Sequence, residues 1–152
     1  AIRLVRSRAA EWNIDPHRVG TLSFSAGGEV AALVAYSPGV GDPKAPDIID
    51  RADGRPDFQL LVYPGPLGIP QTIPADAPPA FLIAADDDPC CSAPVVQLLE
   101  RYRAAKVPVE AHILNGGGHG FNMGYRSDLK AVRDFPRLMA NWLTDMHFLQ
   151  NK

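Results

Sequence analysis

Ser23-Phe24-Ser25-Ala26-Gly27-Gly28 joins an apolar run, Val19 to Phe24, to a segment from about Gly27 to Tyr36 in which Val30, Ala31, Val34 and Ala35 recur at helical spacing. A serine between a buried strand and a helix, flanked by small residues, is the setting of a nucleophile elbow. The turn there is so tight that the positions two before and two after the serine must be small, and the strained serine projects its Oγ above the sheet. The stretch departs from Gly-x-Ser-x-Gly at its first position, where Ser23 stands. A hydroxymethyl group is the smallest polar addition, so Ser23 is expected to pack inside the elbow. Ser and Gly also crowd ordinary turns, so this stretch alone reads equally well as a loop serine.

Working outward, residues 2 to 12 carry Ile2, Val5, Ala9 and Trp12 at spacings of three and four, which predicts an entry helix. Asp15-Pro16 stops it. Residues 37 to 57, rich in Pro, Gly and Asp, read as an ordered loop without a periodic element. Phe58 to Tyr63 and Ala80 to Ala85 read as strands buried on both faces of a parallel sheet, and the residues between them, 64 to 79, hold six prolines and no helix. Ser92 is placed to cap a helix from about Ala93 to Ala105 with the stripe Val95, Leu98, Leu99 and Tyr102. Val109 to Leu114 is a further strand. A last helix is expected from about Pro136 to Phe148, burying Leu138, Trp142 and Met146. Alternating helices and strands predict an α/β fold: a mostly parallel sheet of about four strands with helices on both faces.

Two more stretches follow predicted strands. Asp86-Asp87-Asp88-Pro89 leaves the strand ending at Ala85, and Asn115-Gly116-Gly117-Gly118-His119-Gly120-Phe121 leaves the one ending at Leu114. Catalytic groups of open α/β sheets gather at the carboxyl ends of strands. Three adjacent carboxylates alone read first as a solvated loop, ahead of a catalytic role or a weak cation site. Glycines around His119 let its backbone approach other loops, and Phe121 is placed to pack the segment down. The other histidines, His17, His112 and His147, fall in a turn, a strand and a helix, where a structural role is expected. In chain order the pieces run Ser, Asp, His, which is the α/β-hydrolase order.

The totals exclude several alternatives. With 152 residues and 46% apolar content the chain has the size and core of one domain. A net charge of −2 and the lack of a Lys/Arg run speak against a nucleic-acid partner. No stretch approaches the ~20 apolar residues needed to cross a bilayer, so no membrane span is expected. Cys90 and Cys91 are adjacent, which strains a mutual disulfide and gives no framework of spacings. No metal-ligand spacing or phosphate loop is present, so no metal or other cofactor is expected.

Arg18-Val19-Gly20, Phe24-Ser25-Ala26-Gly27-Gly28, Arg55-Pro56-Asp57-Phe58, Asp86-Asp87-Asp88-Pro89 and Gly117-Gly118-His119-Gly120-Phe121 together resemble the acetyl esterase/lipase group of α/β-hydrolases, which contains acetylxylan and feruloyl-type esterases. The resemblance implies that residues 1–152 are a single partial domain, the C-terminal half of the fold, with the first strands and the loop bearing a second oxyanion donor lying elsewhere. It implies Ser25 as nucleophile, His119 as general base, and Asp88 as the acid that orients it, with Asp87 as the fallback. Ala26 N–H would be one oxyanion donor. Cys90-Cys91-Ser92 stands where similar proteins usually have Val-Val-Pro. The implied activity is serine-dependent hydrolysis of small-molecule short-chain acyl esters, acetyl groups on polysaccharide among them. A serine peptidase of the prolyl-oligopeptidase type has the same triad order, and a fragment that needs its N-terminal half for activity is the other alternative. The apolar edge Val19 to Phe24 implies pairing with that half or with a second copy of the chain.

Overall fold

The computed structural model describes residues 1–149. Strands β1 (Thr21–Phe24), β2 (Gln59–Val62), β3 (Ala80–Ala85) and β4 (Val109–Leu114) lie side by side in sequence order, and every pairing is parallel. Helices α1 (Ile2–Ser7), α2 (Ala26–Tyr36), α3 (Ser92–Ala105) and α4 (Lys130–Asp145) complete the main elements. Every residue of β2 and β3 is buried, as expected of central strands in a parallel sheet, and Gln59 is the one polar residue among them.

Side chains alternate between the two faces of a strand, and this shows where the helices sit. Gln59 Nε2 donates to Tyr36 Oη of α2 at 3.3 Å and to Tyr102 Oη of α3 at 2.5 Å. Phe81 is in register with Leu60 and so points to the opposite face, where its ring packs on Trp142 of α4 at 6.1 Å. Helices α2 and α3 therefore cover one face and α4 the other. The β2–β3 connection crosses over without an α-helix. One 3-10 turn, Pro66–Gly68, interrupts it, and the Leu67 amide donates to Glu29 Oε1 of α2 at 3.1 Å.

Several expectations are corrected. The entry helix ends at Ser7 rather than near residue 12. Of its stripe only Ala9 is buried, with Trp12 44% exposed. Polar contacts anchor this segment instead: Arg6 donates to the carbonyls of Pro16 and Arg55 and pairs with Asp57. Helix α2 buries Gly28, Ala31, Ala32 and Ala35, and turns Val30, Leu33 and Val34 outward. Alanine methyls let the helix approach the sheet closely, so its bulkier residues form the outer flank. Residues 37–57 contain a 3-10 turn, Ile48–Arg51, started by Asp47 accepting from the Ile49 amide. Ser92 is the first residue of α3 and not its cap; Cys91 holds that position without a side-chain bond.

The last helix starts at Lys130, and Pro136 lies inside it. Its buried stripe is Val132, Phe135, Met139 and Trp142, whereas Leu138 and Met146 are only partly buried. Having no N–H, Pro136 leaves the Val132 carbonyl without a helical bond. His147 falls beyond the helix at φ 61°, and Phe148 folds back onto Phe58 with ring centroids 4.4 Å apart.

Candidate active site

The carboxyl ends of the strands converge on one hydrogen-bonded chain. Ser25 follows β1 directly and takes φ 51° and ψ −126°, a conformation costly for any residue with a Cβ. Its amide donates to the Val62 carbonyl at 3.0 Å, which extends the sheet by one bond before α2 begins. The glycine that this turn needs is Gly28 rather than Gly27. A Cβ on Gly28 would meet Pro64 at 3.0 Å, whereas one on Gly27 would meet nothing within 4 Å. Ser23 is half-buried in the elbow. The Ala26 amide, at the exposed start of α2, has no hydrogen-bond partner among the described residues.

Ser25 Oγ lies 2.8 Å from His119 Nε2, and His119 Nδ1 lies 2.8 Å from Asp88 Oδ2. These distances fit Nδ1–H donating to the carboxylate and Nε2 accepting from the serine hydroxyl. The Asp88 side chain is fully buried, and its other oxygen accepts from the amides of Cys90 (3.0 Å) and Cys91 (3.2 Å). A buried carboxylate is tolerable when its lone pairs are filled in this way. His119 keeps 38% of its side chain exposed, so the site opens to solvent on the side of the imidazole.

Three strand spacings, roughly 14 Å, separate β1 from β4, so the His119 loop has to reach back across the sheet. Asp87 holds that loop: Gly118 N donates to its Oδ1 at 2.8 Å and Gly117 N to its Oδ2 at 3.3 Å. The two candidate acids are thus distinct, Asp88 facing the imidazole and Asp87 the glycine backbone. Gly117 (φ 134°) and Gly118 (φ 61°) take conformations that disfavour a side chain.

Sequence reasoning missed Tyr63. It follows β2 at φ 40°, its ring lies 4.8 Å from that of His119, and its hydroxyl accepts from the Asn122 amide at 3.0 Å. Burial pushes this phenol above its usual range, so it stays neutral, with the Asn122 bond acting in the opposite sense. Phe121 is buried and packs edge-on against Tyr63 at 4.7 Å. Tyr63-Pro64 at a strand end was the available signal, and only proximity to His119 gives it meaning.

The fold also gathers groups that the sequence spacing did not suggest. Asp88, Cys90, Cys91 and His119 each offer a metal-ligating atom, and these atoms lie within 4.8 Å of one another. Cys90 and Cys91 are joined as a disulfide.

No protein-family profile matches the chain. Among curated proteins it is similar to an acetylxylan esterase of Xylanibacter ruminicola, 27% identical over an alignment covering 93% of this chain and 33% of that protein. Among solved structures it superposes on an acetyl ester-xyloside bifunctional hydrolase of Caldicellulosiruptor lactoaceticus with a TM-score of 0.90 and 29% identity, covering 98% of this chain and 64% of that one. An esterase of Thermogutta terrifontis bound to propionate gives 0.76 and 26%, with 99% and 64% covered. The chain thus spans about a third of the curated relative and under two thirds of these solved chains.

Proposed function

We propose, for a chain whose fold is that of the α/β-hydrolases, that Ser25, His119 and Asp88 hydrolyse short-chain acyl esters through an acyl-enzyme. The observation that carries this reading is the continuous chain from Ser25 Oγ through both imidazole nitrogens to a buried carboxylate. Nε2 takes the Oγ proton as Oγ attacks the ester carbonyl. The imidazolium that forms is stabilised by Asp88 and then protonates the departing alcohol. Water repeats the sequence in reverse and releases the acid. Ala26 N–H, with no internal partner and set at a helix start, is suited to the carbonyl oxygen as its negative charge develops. Similarity to an acetylxylan esterase and to an acetyl ester-xyloside hydrolase favours acetyl esters, including those carried by xylan-type polysaccharide, as the substrate class.

A second oxyanion donor belongs to the same proposal. Losing one such donor typically costs ~10²–10³-fold in rate, and none other than Ala26 is identified among the described residues. Strand β1 is an edge of the sheet, with Leu22 44% exposed, and Val30, Leu33 and Val34 of α2 flank it. Further strands on this side, from an N-terminal segment of the same protein or from a second copy, would cover that flank and bring the second donor. A monomeric chain whose Thr21–Phe24 amides are fully protected from exchange would remove this part of the proposal.

The test is hydrolysis of p-nitrophenyl acetate beside the Ser25→Ala variant, with an acetylated xylan oligomer and a prolyl peptide as competing substrates. Ester turnover abolished in the variant supports the reading. Turnover of the peptide alone would move the activity to the peptidase class, and ester turnover that survives Ser25→Ala would overturn it.

A further inference from the structure

We propose that Cys90 and Cys91, once reduced, form with His119 and Asp88 a binding site for a thiophilic divalent cation of the zinc type. The donor set is two sulfurs, one imidazole nitrogen and one carboxylate oxygen, all within 4.8 Å of one another. Each donor is a normal zinc ligand. Metal–ligand distances of ~2.0–2.3 Å in a tetrahedral site put ligand atoms roughly 3.5 Å apart, so once the disulfide is reduced the two sulfurs move apart while the more distant donors draw in. Two of the four groups, Asp88 and Cys91, are already buried, and Cys90 is exposed, so a reductant in solution reaches the sulfur pair from the open side.

The chemistry balances with an external dithiol. Its thiolate attacks Cys90 Sγ, the Sγ–Sγ bond breaks, and Cys91 leaves as thiolate. The second thiol of the reagent then displaces Cys90, so the reagent ends as a disulfide and the protein gains two electrons and two protons as a pair of thiols. Binding of the cation releases both thiol protons to solvent. His119 loses no proton overall. The nitrogen facing Asp88, Nδ1, becomes a ligand and its hydrogen moves to Nε2, the atom 2.8 Å from Ser25 Oγ. A protonated Nε2 no longer accepts the serine proton. If the hydrolase reading holds, on which this last consequence alone rests, filling the site switches hydrolysis off.

The experiment reads metal without substrate, so a chain that proves to be no esterase still tests the site. The protein is reduced with a phosphine, which leaves no competing thiol, loaded with zinc alone, desalted, and its zinc measured. The reduced chain is expected to hold about one zinc ion. The oxidised chain, Cys90→Ser and Cys91→Ala are each expected to bind at least ~10-fold more weakly, the smallest loss that changes around a zinc site usually bring. Cobalt in place of zinc gives a thiolate charge-transfer band in the reduced chain only. Equal zinc retention by reduced and oxidised chains overturns the proposal. So does full retention in folded Cys90→Ser, whose altered side chain is on the surface. Where hydrolysis is present, zinc inhibits the reduced form and a chelator restores it; inhibition of the oxidised form to the same degree would also count against the site.

Discussion

Strands β1 and β3 deliver residues to the same site from opposite structural circumstances. All six residues of β3 are buried, and its end passes straight into Asp87 and Asp88, which are tied by backbone amides on two sides. Strand β1 has one neighbour and an exposed Leu22, and it leads to Ser25 in a left-handed conformation. The acid of the site is held by the core, whereas its serine stands at the border of the sheet. Structure around Asp88 is therefore complete among the described residues, while the surroundings of Ser25 depend on what covers β1 and the outer flank of α2.

The largest effects fall on the hydrogen-bonded chain itself. Ser25→Ala is expected to lower kcat on the order of 10⁶-fold, and retention of more than a few per cent of the rate would detach β1 from the chemistry. Asp88→Asn is expected to cost on the order of 10⁴-fold by losing the tautomer and orientation of His119. Asp87→Asn only loosens the glycine loop and should stay within ~10²-fold; a reversal of that order in steady-state kinetics would exchange the two roles.

Stability measurements sharpen the contrast further. Leu60 and Leu22 are register partners, at 4% and 44% exposure. In denaturant titrations Leu60→Ala should cost ~2–5 kcal/mol and Leu22→Ala less than about 1 kcal/mol. Equal costs would show that β1 is as well covered as β2.

Tyr102→Phe removes the acceptor of the Gln59 amide and the donor to the Pro78 carbonyl, at a cost of ~1–3 kcal/mol. Burial raises the Tyr36 and Tyr102 hydroxyls above the usual phenol range. The folded state therefore holds these protons more tightly than the unfolded chain, whose tyrosines titrate near ~10. That contribution is fully present below pH ~10 and is lost as pH rises beyond it. Stability should fall on the alkaline side, less steeply in Tyr102→Phe; parallel alkaline slopes would exclude Tyr102 as a cause.

The strands were legible because two strong signals agreed. Apolar runs gave β2 and β3 to within a residue at each end, Val109 to Leu114 formed β4 although Glu110 and His112 interrupt its apolar residues, and the strand ends gave Ser25, Asp88 and His119 as neighbours. Helix faces were legible in part: Val95, Leu98 and Tyr102 of α3 are buried as their spacing implies. In α2 the larger apolar residues point outward, because alanine packs more closely on the sheet, and hydrophobicity alone ranks Val above Ala. Pro136 misled because a proline in a sequence cannot declare whether it opens a helix or interrupts one. Asp87 and Tyr63 act through contacts with residues far away in the chain, and spacing carries no trace of those.

Ser25 and His119 are 94 positions apart, although every strand in the sheet pairs with its neighbour in sequence. Closing so long a loop carries an entropic penalty that grows with its length, and only contacts made after the strands have paired repay it. The serine–imidazole contact is thus among the last to form when the chain refolds. After dilution from denaturant, ester turnover should return more slowly than the far-ultraviolet signal of helices and strands, making catalytic recovery a clock for the completion of folding rather than for its onset.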